Sequence, residues 1–82
     1  MTGEELRSVR EFYGYDTQAQ LANALGVNSG TIQMWESSDR VAEKAEWQLK
    51  RILHWNIPYV LNVIAAERDR VKKLHHLMAL ST

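Results

Sequence analysis

Residues 17–36 read TQAQLANALGVNSGTIQMWE, and this stretch decides the fold. It begins with a capping-box pattern, in which Thr17 caps a helix and Gln20 reaches back to the cap. The helix is about two turns long and stops at Gly26, because glycine accepts left-handed backbone angles. A second short helix then begins at Asn28 or Ser29. The stretch therefore predicts two short helices joined by a tight turn.

The apolar residues of this stretch fall where the two helices would touch. Helices that cross steeply over a three-residue turn need a small side chain at their contact, and Ala22 supplies it. Ile32 and Trp35, three residues apart, face inward from the second helix. The remaining buried aliphatic residues are Leu21, Leu25 and Val27. This is the helix-turn-helix pattern.

The rest of the chain also predicts helices, since its 82 residues include one proline and four glycines. A capping box at Thr2 and Glu5 starts a first helix, which Gly14 stops. An amphipathic fourth helix is predicted from Asp39 to about His54, and a fifth from near Pro58 to about Leu80. The predicted fold class is therefore all-α.

Length and composition exclude several classes of function. Eighty-two residues form one small domain, and a cysteine count of zero excludes disulfides and thiolate sites. No apolar run is long enough to span a bilayer, so we expect a cytoplasmic protein with no membrane partner. No nucleophile, base and orienting group can be assembled, and the histidines lack metal-ligand spacing. We expect no enzyme activity, no cofactor and no metal.

Residues 17–36 resemble the helix-turn-helix of Cro and CI regulators, a class of phage and bacterial transcription factors. The resemblance extends to Leu6 and Arg10, and more loosely to the fourth helix, so it covers about two-thirds of the chain. It implies a lambda-repressor-like bundle of four helices, followed here by a long C-terminal helix. A weaker similarity to lambdoid CII-type activators rests on Leu53, His54 and Trp55.

The resemblance implies that the second helix of the motif enters the major groove of DNA. Gln33 is then the best candidate for a base contact, because a carboxamide pairs bidentately with adenine, and Met34 can touch a thymine methyl group. Gln18 resembles the family glutamine that binds phosphate, and Arg40, with Lys44, Arg7 and Arg10, can offset the acidic residues nearby. The predicted DNA contacts are Gln18, Asn28, Ser29, Thr31, Gln33, Met34, Ser37 and Arg40.

The fifth helix carries an apolar seam with gaps of three and four residues, once Glu67 is allowed as a polar member. The predicted dimerisation residues are Ile57, Val60, Ile64, Val71, Leu74 and Met78. We therefore divide the chain into a DNA-binding body, residues 1–56, and an oligomerisation helix, residues 57–82. The seam could also fold back on its own chain.

Charge is uneven along a chain whose net charge is zero. Residues 1–40 carry three arginines and six carboxylates, a net charge of −3, whereas residues 41–82 carry seven basic and four acidic side chains, a net charge of +3. One copy has few free cations to contact phosphates, so we expect DNA binding to require a dimer. We expect a repressor that binds an inverted-repeat operator as a homodimer. The alternatives are a CII-like activator, as a dimer or a higher oligomer, and an adaptor that binds another regulatory protein without binding an operator.

Overall fold

The computed structural model describes the backbone of residues 1–80 and their side chains, except those of residues 75, 79 and 80. Five α-helices account for most of these residues, and no β-strand occurs among them. The predicted all-α class is confirmed. The last two residues of the predicted segment 57–82 lie outside the described part. The helices are α1 (Gly3–Phe12), α2 (Gln18–Leu25), α3 (Ser29–Ser37), α4 (Glu43–Leu53) and α5 (Ile57–Leu80).

Side-chain caps set the beginning of the first three helices. Thr2 and Thr17 each form a complete capping box, with Glu5 and Gln20 as the reciprocal partners. Asn28 caps α3 by accepting the N–H of Gly30 at 2.8 Å. Gly26, in the left-handed conformation at φ 73°, ends α2. These boundaries depend on residues two to five positions apart, so local sequence is sufficient to define them.

The hydrophobic core lies where the first four helices meet the beginning of α5. Trp55 closes one end of this core: it stacks on Tyr13 with 4.8 Å between ring centroids, and the Tyr13 hydroxyl oxygen accepts the N–H of Asn56. Trp47, by contrast, lies exposed beneath the Arg51 guanidinium. The buried apolar residues are Leu6, Val9, Leu21, Ala22, Leu25, Ile32, Val41, Ala45, Leu49, Trp55 and Val60.

The fourth helix begins later than the sequence predicts. It was expected from Asp39, but α4 starts at Glu43, and Ala42 caps it without a side-chain hydrogen bond. The preceding residues instead run beside the start of α1. There the Gly3 N–H donates to the Ser38 carbonyl at 3.0 Å, and the Val41 N–H donates to the Met1 carbonyl at 2.9 Å. These partners are distant in sequence, so local pattern does not reveal them.

Gly3 lies at the closest approach between α1 and the end of α3. A Cβ atom on Gly3 would be 2.3 Å from the Glu36 carbonyl oxygen and 2.7 Å from the Ser38 carbonyl oxygen. Both neighbours are backbone atoms, which cannot rotate away. Only glycine therefore fits this position without moving a helix.

The long helix α5 has two parts with different surroundings. Val60 is fully buried, and Ile57 and Ile64 are half-buried against the core of their own chain. From Ala65 to Leu74 every residue is exposed. The radius of gyration is 15.2 Å, compared with about 12 Å for a compact chain of this length. The second part of α5 therefore extends beyond the packed body.

This arrangement divides the predicted dimerisation seam. The first half of the seam packs within its own chain rather than against a partner. Its members Ile57, Val60 and Ile64 contribute to the apolar core of the same chain. Val71, Leu74 and Met78 are 49%, 53% and 66% exposed. The packed body accordingly continues past residue 56 to Ile64. Among residues 1–80, no helix is both long and apolar enough to cross a bilayer.

Candidate functional site

The pair formed by α2 and α3 presents the surface on which the sequence-predicted site residues lie. Gly26 turns the chain, and the Val27 N–H donates to the Ala22 carbonyl at 2.9 Å, which closes the end of α2. Ile32 is fully buried, and Trp35 is half-buried against the core. Helix α3 packs against both α1 and α2. It is therefore held from two sides, while its outer side faces solvent.

The exposed side of α3 brings together most of the predicted contact residues. Met34 is 62% exposed despite its apolar side chain. Thr31 is the one predicted residue of α3 that is half-buried. The others on this surface are exposed: Asn28, Ser29, Gln33, Met34 and Ser37. We call this set, with Thr31, the α3 face.

Two members of the α3 face already make local hydrogen bonds. The Asn28 side-chain oxygen is used in the cap, so its amide group is what remains for a ligand. The Ser37 hydroxyl donates to the Gln33 carbonyl at 2.8 Å, which leaves its oxygen lone pairs as acceptors. Within the described residues, the Gln33 carboxamide and the Thr31 hydroxyl make no hydrogen bond. Gln33 thus has both a donor and an acceptor to offer at the middle of the surface.

The Gln18 side chain makes a hydrogen bond within its own chain. Its Nε2 atom donates to Glu36 Oε1 at 3.2 Å, across from the end of α3. The side chain therefore links the first turn of α2 to the last turn of α3. One N–H of its carboxamide is thereby used within the chain, and the second N–H and the side-chain oxygen remain for a ligand.

Glu36 is the centre of a buried polar network. Arg10 Nε donates to Glu36 Oε2 at 2.8 Å, and Arg10 Nη1 donates to the Tyr15 carbonyl at 2.7 Å. The side chains of Arg10 and Glu36 are only 5% and 6% exposed. A buried carboxylate has to be paired, because removing a charge from water is costly. The Glu36 charge is thus compensated inside the protein.

The network changes which charges are available near the α3 face. Arg10 was expected among the cations that offset acidic residues, but its guanidinium is buried and occupied by Glu36. Glu36, in turn, no longer presents an unpaired negative charge at the end of α3. The exposed cations that remain from the predicted set are Arg7, Arg40 and Lys44. Arg7 lies 3.4 Å from Glu11 on the same helix.

Sequence reasoning missed the Arg10–Glu36 pair and the role of Gly3. One signal for the pair was present: Arg10 lies on the same helical stripe as Leu6 and Val9, where a charge requires a buried partner. The identity of that partner depends on how α1 meets α3, which spacing along the chain does not give. Gly3 carried no signal, because its requirement comes from a backbone contact 33 residues away.

Comparisons with known proteins do not identify a relative of this chain. No family model, curated protein or solved structure matches the chain. In the part of the chain that the structure describes, no three His, Asp or Glu side chains come together as ligands for a metal ion.

Proposed function

We propose that this protein is a sequence-specific DNA-binding regulator of transcription that inserts α3 into the major groove. The observation that carries the proposal is the α3 face, a polar surface on a short helix that α1 and α2 hold in place. An α-helix fits the major groove, which is about 12 Å wide. In this reading α2, the turn and α3 form a helix-turn-helix within a lambda-repressor-like body.

The residue types of the α3 face suit contacts with base edges. Gln33 offers the paired donor and acceptor that adenine requires, and Met34 offers an apolar surface for a thymine methyl group. Asn28, Ser29 and Thr31 lie around the first turn of α3, the part of a recognition helix closest to the bases. Gly30 contributes no side chain, so any contact there comes from the backbone.

Phosphate contacts come from the ends of helices and from the exposed cations. The first N–H groups of α2 have no partner within the helix, and they favour an anion. Arg40 and Lys44 follow α3 in the chain and are both exposed. Gln18 links α2 to Glu36 through one amide N–H, and its second N–H can donate to a phosphate. The phosphate contacts position the protein along the duplex, and the contacts from α3 to the bases determine which sequence it binds.

The internal pairing of Glu36 supports DNA binding by an otherwise acidic half of the chain. An unpaired carboxylate at the end of α3 would repel the phosphates that pass it, and the bond from Arg10 removes most of that repulsion. One copy still offers few free cations. A dimer doubles them, so we propose that the protein binds an inverted repeat as a homodimer.

The simplest regulatory outcome for such a protein is repression, because a bound regulator occupies its operator. Activation of the CII type remains the alternative within the same DNA-binding class. A protein-binding adaptor is the rival from another class. The exposed Met34 at the middle of α3 favours it, since methionine is well suited to protein contacts.

Selection of bound sequences from a random duplex pool at low salt tests the proposed function. We expect enrichment of an inverted repeat with half-sites about one helical turn apart. A folded protein that enriches no sequence would contradict DNA recognition and favour the adaptor. Circular dichroism on the same preparation establishes that the protein is folded.

A further inference from the structure

The second part of α5 carries apolar residues that remain exposed in the single chain. Val71, Leu74 and Leu77 are 49%, 53% and 61% exposed. At about 100° per residue they lie within an arc of about 120°, together with Val63, Glu67 and Arg70. We call these six residues the α5 strip. A projecting helical segment of this length is only marginally stable alone in water, so a partner is expected to cover it.

We propose that a second copy covers the α5 strip, and that the two α5 helices pair antiparallel about a centre between Glu67 and Arg70. This inference deepens the homodimer of the proposed function and rests on it. In this register Glu67 lies opposite the partner's Arg70, and Arg70 lies opposite the partner's Glu67. The same register places Val63 opposite the partner's Leu74. Apolar residues thus meet apolar residues on both sides of a central pair of ion pairs.

Charge favours this orientation over the parallel one. A parallel pair in register would place Glu67 beside Glu67 and Arg70 beside Arg70. Glu67 and Arg70 already lie 3.6 Å apart within one chain and are both largely exposed, so two copies in antiparallel register form a cluster of four alternating charges. Exposed ion pairs contribute little stability, but the difference between attraction and repulsion selects the orientation.

The wider charge pattern of α5 leads to the same orientation. Residues 57–66 contain no charged side chain, whereas residues 67–80 contain four basic and two acidic ones. Parallel helices would align two basic segments, but antiparallel helices place each basic segment beside a neutral one. Within the strip Val63 is half-buried, whereas the members from Glu67 to Leu77 are exposed, and α1 lies along another side of α5, near Leu61, Ile64 and Ala65.

The register has a geometric consequence for DNA binding. The start of one α5, at Ile57, would lie beside residue 80 of the partner. The two starting points are then separated by 23 residue rises, about 35 Å along the helix axis. This spacing is comparable to the 34–36 Å between half-sites one helical turn apart. The antiparallel pair therefore separates the two points at which α5 leaves each body by about 35 Å.

Introduced cysteines test the orientation directly, because the native chain has none. Val63→Cys and Leu74→Cys proteins are oxidised alone and as a mixture. We expect a disulfide between the two variants in the mixture and no self-linked dimer of either variant. Lys72→Cys, on the opposite side of α5, is the matched control and should not link in any combination. Self-linking of Val63→Cys or Leu74→Cys would overturn the proposal, as would a monomer in sedimentation equilibrium at tens of micromolar.

Charge reversal provides a second, independent measurement. Glu67→Arg and Arg70→Glu should each weaken dimerisation about tenfold, because each creates two like-charge contacts. The double variant restores opposite charges across an antiparallel interface and should recover wild-type affinity. A double variant as weak as the single ones would overturn the register.

These measurements are made without DNA, so they test the antiparallel pair separately from the proposed function. A disulfide-linked mixture that selects no operator would contradict the proposed function while supporting the antiparallel pair. Enrichment of an operator by a protein that fails the cysteine test would contradict the antiparallel pair alone.

Discussion

At the scale of single residues, the Arg10–Glu36 pair connects the fold to the candidate site. It joins α1 to the last turn of α3, and Gln18 adds α2 to the same carboxylate. Three helices therefore meet at one buried charge. The network fixes the angle at which the α3 face is presented, and it removes a negative charge from a surface proposed to approach phosphates.

Arg10→Ala tests this network. The substitution leaves Glu36 buried without its cation, so we expect a loss of about 3–5 kcal/mol in the free energy of unfolding. Chemical denaturation measures it. Arg7→Ala removes the same side chain from an exposed site on the same helix and should cost less than about 0.5 kcal/mol. A loss below 1 kcal/mol for Arg10→Ala would show that the pair contributes little.

Gly3→Ala tests the close approach between α1 and α3. The added methyl group would meet two backbone carbonyl oxygens, so a helix has to shift, at a cost of about 1–3 kcal/mol. Gly30→Ala is the matched control, because a methyl group there meets only the Asn28 side chain at 3.2 Å. Equal unfolding free energies for the two variants would contradict the packing described at Gly3.

At the scale of helices, the sequence predicts best where the determining contacts are local. Capping residues at Thr2, Thr17 and Asn28 and the glycine at position 26 define α1, α2 and α3 as expected. The start of α4 was predicted four residues too early, because backbone hydrogen bonds to Gly3 and Met1 hold the preceding segment beside the start of α1.

The candidate site shows the same distinction between local and distant contacts. Helical periodicity correctly separates the exposed side of α3 from Ile32, since that pattern is local. It does not show that the Gln18 amide turns toward Glu36, a residue 18 positions away. In α5 the apolar residues of the seam recur at gaps of three and four, but this periodicity alone does not show whether they pack against their own chain or against a partner.

Alanine substitutions in the two parts of α5 should have different effects. Val60→Ala removes a fully buried side chain and should lower the free energy of unfolding by about 2 kcal/mol. Leu74→Ala should leave the unfolding of the body almost unchanged and weaken self-association instead. Denaturation at low protein concentration, together with sedimentation, distinguishes these outcomes. A Leu74→Ala protein that loses as much stability as Val60→Ala would contradict the division of α5.

At the scale of the whole molecule, the distribution of charge determines how DNA binding should respond to salt. The net charge is zero, and the exposed cations of the predicted set are Arg7, which is paired with Glu11, Arg40 and Lys44. A dimer that contacts about six phosphates should show a log–log slope near −5. Titration of the selected operator at salt concentrations from about 50 to about 200 mM gives this slope. A slope close to zero would contradict phosphate positioning.

The most direct test of the central claim is whether Gln33 reads a base. Wild-type protein and Gln33→Ala are titrated against the selected operator and against operators with single base-pair changes, with Asn62→Ala, an exposed amide on α5, as control. We predict that Gln33→Ala binds the operator about 10- to 100-fold more weakly and loses discrimination at one A·T pair in each half-site, whereas Asn62→Ala keeps it. A Gln33→Ala protein that discriminates as the wild type does would contradict recognition through the α3 face.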